Sequence, residues 1–406
     1  MWADFSVQSL RVPGRGSVGE VERLMPVDSA AQEMLRAVAR SSPADSAQQI
    51  EHLAASIQDW DSLFRVARQH RVLPMLYLLV TKARVTLPSP AHERLRASYE
   101  RNVFHSMANA AELIEVLKVF EREAIPAMPF KGVVLAASIY DDITARAAGD
   151  LDVLIDYSHL APATEILLRR GYILETPTRA DYSPAIPDCY EYRFQRQSSG
   201  TVLELRWRLE LTRPSLRSNL GMHWAWPRRT MQIVLGARVP NMDPEKTLLM
   251  LCIHGSKHVW SRLLWIMDVA QLLAAFPDLD WQRIDEDAKA LGLWRALALG
   301  VLLAHRVCGA AAPHTILNQF ESDGTASDLA RHINANLFDA PGSTPKSHIP
   351  YNVKLLAFKD RARFFLSWEL FRPNERDQAA ARLPKPLHPL YFLVRPIRIL
   401  LDRSPR

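Results

Sequence analysis

The chain has 406 residues, 48% of them hydrophobic and 23% charged. That length supports two or three domains with substantial cores, and the composition excludes a disordered or collagen-like chain. A net charge of +6 suits an anionic ligand such as a nucleotide, but the basic residues are spread along the sequence and do not by themselves mark a DNA binder.

In chain order, residues 1–25 carry Pro13, Gly14, Gly16 and Gly19, lack periodicity and read as a loose arm. Residues 26–124 read as an N-terminal helical region. Asp28 or Ser29 caps a first helix ending at Arg40, Ser46 caps a second running through Ile57, and Asp59-Trp60-Asp61 opens a third. Pro74, inside the apolar run 70–80, marks a helix–helix junction with proline at the start of the next helix. A long helix is predicted from Pro90 to Glu123, with Leu95, Tyr99, Val103, Met107, Ala111, Leu113, Val116 and Phe120 on one apolar stripe. This region is expected to pack rather than to carry chemistry.

Residues 125–240 read as the core of the molecule. A short strand from Ile125 to Phe130 is followed by Lys131-Gly132, which opens a helix to Tyr140. A strand from Leu151 to Ile155 comes next, then a helix from His159 to Arg170 stopped by Gly171. Short strands at 172–175 and 190–195 lead to the turn Ser198-Ser199-Gly200 and a last strand from Thr201 to Leu209. There Leu203, Leu205, Trp207 and Leu209 share one face, and Glu204, Arg206 and Arg208 share the other. Residues 214–240 read as irregular, with one strand near 231–234.

Residues 241–406 read as a C-terminal helical region opened by Asp243 as cap and Pro244 at the first helical position. Further helices are predicted at 280–291, 294–308, 326–336 and 355–370. The tail from 384 on is proline-rich and basic. Its apolar stretch, Leu390 to Leu401, is read as docking on the protein, the alternative being a membrane surface. No apolar run reaches the roughly 18 residues of a membrane span, and Asp4 falls where a leader would have its apolar segment, so no span or leader is expected. Cys189, Cys252 and Cys308 form no Cys-x-x-Cys pair, which argues against a zinc site or a disulfide framework and suits a reducing cytoplasm.

Acid and aliphatic residues alternate in Asp150-Leu151-Asp152-Val153. Both aspartates therefore project from one strand face while Leu151, Val153 and Ile155 bury on the other. Two adjacent carboxylates repel, so they call for a cation, and a hard divalent ion such as Mg²⁺ suits oxygen ligands. On the same ground, replacing one aspartate with asparagine is expected to relieve repulsion and raise stability. The Lys131-Gly132 helix start is of the kind that binds phosphate.

The ordered set Lys131-Gly132, Tyr140, Arg146 and Gly149-Asp150-Leu151-Asp152 resembles the bacterial family of uncharacterised nucleotidyltransferases, within the superfamily that shares the DNA polymerase β-like core. The resemblance extends into the flanking helical regions and includes the segment His254-Gly-Ser-Lys257-His258. It implies an α+β fold, a small mixed-sheet core flanked by N- and C-terminal helical regions. It also implies an enzyme that moves a nucleoside monophosphate from an NTP to an acceptor, with release of pyrophosphate. Mg²⁺ would be held by Asp150, Asp152 and a third carboxylate, Glu204, with Glu210 a weaker substitute. Relatives often carry His two residues after that carboxylate, where this chain has Arg206. Lys131, Gly132 and Arg146 would meet the phosphates, Arg146 alternatively the aspartate pair. Tyr140 reads as a core aromatic.

The segment from His254 to Asp268 is predicted as one helix. Its wheel places His254, Lys257, His258, Arg262, Trp265 and Asp268 on a polar, cationic stripe opposite a buried one. Lys257 and His258 are expected to contribute to nucleotide binding. Zinc is set aside there, because no third ligand accompanies the two histidines. The acceptor is expected to be a sugar, a lipid-linked group, a peptide or RNA. Two alternatives stand beside this reading: a toxin-like or antiphage enzyme acting on tRNA or protein, and a nucleotide-binding scaffold without turnover.

Overall fold

The computed structural model describes residues 29–40, 47–147, 149–175, 190–209 and 220–338, with Tyr351, Leu390, Tyr391, Val394 and Ile397. The arm, the caps at Asp28 and Ser46, Cys189, Glu210, the helix at 355–370 and most of the tail lie outside the described residues.

The first four helices are α1 (Ser29–Arg40), α2 (Ala47–Ser56), α3 (Trp60–Gln69) and α4 (Leu73–Lys82). Asp59 caps α3 by accepting a hydrogen bond from the Ser62 N–H at 2.9 Å, and Pro74 occupies the first turn of α4, where its missing N–H costs nothing. Helix α5 (Ser89–Arg122) runs for 34 residues, about 50 Å at the usual rise. Its two ends serve different cores. Ala91 and Leu95 pack with the other helices, whereas Ala110, Leu113, Val116 and Phe120 pack against the sheet. Between them the predicted stripe fails: Met107 is exposed, and Phe104 is 71% exposed. The middle of α5 bridges two cores and belongs to neither.

Five strands form the central sheet: β1 (Ala127–Pro129), β2 (Leu151–Ile155), β3 (Tyr172–Leu174), β4 (Glu191–Arg196) and β5 (Val202–Arg206), in the order β1-β2-β5-β4-β3. Strands β2 and β5 are parallel and the other neighbours antiparallel. Alternation sends Leu151, Val153, Ile155, Phe194, Leu203 and Leu205 into the core under α5 and α7 (Leu160–Arg169). The opposite face of β2 and β5 presents Asp152, Leu154, Glu204 and Arg206, and Leu154 joins the large helical core there. Helix α6 (Gly132–Ile139) connects β1 to this face.

A short helix, α8 (Met222–Ala225), precedes a hairpin of β6 (Thr230–Val234) and β7 (Ala237–Asn241). Only the first of these strands was legible, because Arg238 and Pro240 break the alternation of the second. The turn between them places Leu235 and Gly236 at φ 46° and 78°, the left-handed pair that a two-residue hairpin loop needs. The C-terminal helices are α9 (Pro244–Lys257), α10 (Leu263–Ala275), α11 (Trp281–Leu291), α12 (Trp294–Cys308), α13 (His314–Glu321) and α14 (Gly324–Ala335). Asp243 caps α9 through the Lys246 N–H at 3.1 Å. Helices from both ends of the chain share one core, in which Met34, Leu35 and Val38 of α1 join Leu299, Leu302 and Leu303 of α12. Arg36 Nη1 donates to Asn334 Oδ1 at 3.0 Å across that join. Among the described residues no helix is long and apolar enough to cross a membrane.

The single helix expected from His254 to Asp268 is two. Helix α9 stops at Lys257, Val259 and Trp260 take left-handed φ values of 55° and 52°, and α10 starts at Leu263. Packing explains the break. Trp260 is fully buried, and its ring fills a niche where a Cβ on Gly255 would stand 2.4 Å from it. Burying an indole outweighs the cost of two left-handed residues. The new N-terminus is met by His70, whose Nδ1 accepts the Leu263 N–H at 3.0 Å. Burial first, then the nearby Arg262, lowers the His70 pKa to about 4, which keeps that nitrogen an acceptor. Gly255→Ala is therefore expected to destabilise the protein by about 1–3 kcal/mol or more, as overpacked cores do. A urea melt showing an unchanged midpoint would refute the niche.

Candidate active site

The site lies on the face of β2 and β5 that looks toward α9. Parallel pairing sets Asp152 directly beside Glu204, and Asp150 precedes Asp152 by two residues on the same face. Three cations of the chain hold these carboxylates. Lys131 Nζ lies 3.3 Å from Asp152 Oδ1. Arg206 Nη2 lies 3.3 Å from Asp152 Oδ1 and 2.9 Å from Glu191 Oε2, and it also pairs with Glu204. Arg193 Nη1 stands 3.4 Å from both Asp150 Oδ2 and Glu204 Oε1, while its Nε reaches Glu175 Oε2 at 2.8 Å.

Local sequence explains the set. The turn at Ser198-Ser199-Gly200 aligns β4 and β5 so that Arg193 pairs with Glu204 and Glu191 with Arg206. Each charge faces its opposite across the hairpin, a pairing that stabilises sheets. Phe130 and Tyr190 floor the site: the Arg206 guanidinium lies 5.8 Å from the centroid of each ring, and Lys131 Nζ 5.2 Å from that of Phe130. Gly132, at φ 60°, starts α6 against the strand, where an added Cβ would come 3.4 Å from the Asp150 carbonyl oxygen.

Burial dominates the electrostatics. It pushes the Asp152 carboxyl up, but Lys131 and Arg206 together outweigh it and hold the pKa below the ordinary value. For Lys131, burial lowers the pKa more than Asp152 raises it, and Arg206 lowers it further. Burial likewise raises Glu191 and lowers His254 well below its usual range, leaving it a neutral imidazole. Lys257 is lowered to about 8, by burial and then by Arg206. Its Nζ lies 3.3 Å from the Tyr190 hydroxyl.

The structure thus brings Lys131, Gly132, Asp150, Asp152, Glu204 and Arg206 together, with His254 and Lys257 of α9 beside them. His258 packs instead in a ring cluster, stacked on Trp265 at 4.8 Å and edge-on to His254 at 4.7 Å. Arg146 engages neither the aspartate pair nor open solvent. Its Nε and Nη2 each donate to Asp268 at 2.9 Å, with both side chains buried, and the Tyr140 hydroxyl donates to the same carboxylate at 3.0 Å. Asp268, expected on a polar stripe, is an interior counter-ion. Tyr140 is more than a core aromatic, because its tip completes this cluster.

Sequence reasoning did not single out Arg193, Glu191, Glu175 or Tyr190. The signal was present in the alternating charges of residues 191–193, read outward from the turn against Glu204 and Arg206. Among the described residues no group of three or more His, Cys, Asp or Glu side chains forms a ready metal cage; Arg193 stands between Asp150 and Glu204.

No curated protein and no solved structure matches the chain. The sequence profile of a family described as uncharacterised nucleotidyltransferase matches residues 56–309. That span runs from the end of α2 to the end of α12 and takes in the sheet, the carboxylate cluster and the α9–α10 turn. The chain belongs to this family of uncharacterised nucleotidyltransferases.

Proposed function

We propose that the protein transfers a nucleoside monophosphate from an NTP to an acceptor hydroxyl, with Mg²⁺ held by Asp150, Asp152 and Glu204. The observation that carries this reading is the register of β2 and β5, which sets Asp152 beside Glu204 with Asp150 on the same face. The donors are all carboxylate oxygens, the chemistry a hard divalent ion requires. They fit such an ion once Arg193, whose side chain is 43% exposed, turns outward. Bound there, Mg²⁺ would neutralise the triphosphate and lower the pKa of the attacking hydroxyl.

The remaining work falls to the chain itself. The α6 N-terminus offers backbone N–H groups to the phosphates, Gly132 permits close approach, and Lys131 adds a full charge. Lys257 contributes a second cation from α9. Arg206 stays in place and prevents the carboxylates from repelling one another. Arg146 acts at one remove, by fixing the segment that carries Asp150. The acceptor oxygen forms a new bond to the α-phosphorus, the bridging α–β bond breaks, pyrophosphate leaves with the electron pair, and the hydroxyl proton passes to solvent.

A Mg²⁺-dependent rise in melting temperature is expected with at least one of ATP, GTP, CTP and UTP. At a hundredfold excess over Kd it corresponds to about 2.7 kcal/mol. Glu204→Gln should reduce the shift, and α-labelled NTP should mark an acceptor in cell extract. No shift with any NTP would count against the reading, and a shift without labelled acceptor would favour a nucleotide-binding scaffold.

A further inference from the structure

A cleft of about 870 Å³ lies between the first helices and the sheet. Its walls are the α3–α4 turn, the middle of α5, the segment entering β2, and the β4–β5 turn. Arg68, Arg71 and Arg101 line it, and Asp150 is the one acidic residue among its lining. Lys131, Arg206 and His254 line a different, much smaller cavity. The cleft is therefore not the phosphate cradle. Asp150 lines the cleft, and its backbone carbonyl would stand 3.4 Å from a Cβ on Gly132, at the start of α6.

Two features suit this cleft to a ligand. Arg71 is held at φ 58°, an uncommon backbone for a side chain with a Cβ. Its Nη1 lies 3.3 Å from where a Cβ on Gly149 would stand, next to Asp150 in the chain. Phe104, the most exposed of the large hydrophobic side chains among the described residues, lies in the same wall with His105 edge-on to it at 5.9 Å. The wall is also fixed in register with the reaction centre. Asn109 Nδ2 donates to the Gly149 carbonyl at 2.7 Å, and Asn102 Nδ2 to the Thr144 carbonyl at 2.8 Å.

Guanidinium groups flanking an exposed aromatic face are the chemistry that holds a phosphate and stacks a base. We infer that this cleft binds the acceptor and that the acceptor presents a nucleotide unit, free or at the end of a single strand. Its phosphate meets Arg68, Arg71 and Arg101, its base lies on Phe104, and its hydroxyl points toward Asp150. This rests on the nucleotidyl-transfer reading for the reaction, but the binding does not require an NTP.

The test uses the full chain without NTP. A short fluorescein-labelled oligoadenylate is titrated by anisotropy at several salt concentrations, and unlabelled AMP is added as competitor. The wild type should bind, with affinity falling as salt rises. Arg68→Ala/Arg101→Ala should weaken binding about tenfold or more and reduce the salt slope by about 1.4, some 0.7 for each phosphate contact on a single strand. Phe104→Ala should weaken it by a stacking contribution of about fivefold or more. All three side chains are exposed, and thermal melts of the variants should match the wild type. Displacement by AMP at concentrations that fail on Arg68→Ala/Arg101→Ala identifies a free nucleotide as sufficient; failure of AMP with retention of the oligonucleotide identifies a strand end. If neither binds, or if the variants bind as the wild type does, the inference is wrong. Should Mg²⁺·NTP shifts persist in that case, only the acceptor assignment falls. Oligonucleotide binding that depends on these residues, with no NTP shift, would remove the transfer reading and leave the cleft.

Discussion

Asp152→Asn should abolish NTP-dependent pyrophosphate release and also weaken the fold. Activity should drop by more than about 10³-fold, the scale on which losing one preorganised charge is felt in a water-excluded site. The stability effect reverses the expectation drawn from two adjacent carboxylates. Repulsion is not what Asp152 experiences: it sits between Lys131 and Arg206, both within 3.3 Å, with its own side chain only 10% exposed. Asparagine keeps the shape but removes the counter-charge beside Lys131 and one of the three carboxylates around Arg206. A loss of about 1–3 kcal/mol is expected, the penalty for a buried charged group deprived of a partner. Denaturant melts of wild type and Asp152→Asn, alongside pyrophosphate release, separate the two effects. A well-folded variant with full turnover would remove Asp152 from the site.

Asp268→Asn should destabilise the protein more than any change on the sheet, by about 3–5 kcal/mol. Arg146 and Asp268 are paired through two parallel donors, with side chains 9% and 1% exposed. Removing one charge strands the other in the interior. Burial pushes the Arg146 pKa down, and the charge and hydrogen bonds of Asp268, with Tyr140 and Asp152 beside it, more than offset that. Asp268→Asn removes the main partner that offsets the burial. Arg146→Met/Asp268→Leu should recover much of the loss, because an apolar pair has no desolvation cost to offset. A double-mutant cycle on denaturant midpoints measures this directly. Asp268→Asn within about 1 kcal/mol of the wild type would show that the pair is solvated. The same variant should lower activity, since Arg146 and the Asn102 and Asn109 contacts fix residues 144–149 ahead of Asp150.

What could be read in advance followed periodicity and capping. Strand β2 and helices α1 and α12 fall where the sequence places them, Asp243 caps as predicted, and the helices expected to open at 59 and 280 do so with those aspartates as caps. Alternation in β2 and β5 placed Asp150, Asp152 and Glu204 on faces from which the sheet brings them together. The misses depend on packing between distant segments. Nothing near residue 260 announces that Gly255 leaves room for an indole, so a helical wheel ran through a turn. Nothing near Arg146 announces that a carboxylate 122 residues later will take it. Helix α5 kept its period but lost its burial where it crosses from one core to the other.

The join between Arg36 and Asn334, 298 residues apart, has a consequence for biosynthesis. At a translation rate of about 5–20 residues per second, α1 leaves the ribosome some 15–60 s before α14 exists. The sheet has its five strands by residue 206, so its α5–α7 side can condense early. Met34, Leu35 and Val38 can pack early with α2, α3 and α4, but they gain their α12 neighbours only when that helix emerges. The nascent chain thus carries an N-terminal helical layer that lacks its α12 cover through most of its synthesis, a natural client for a holding chaperone and a point at which premature termination yields an aggregating fragment.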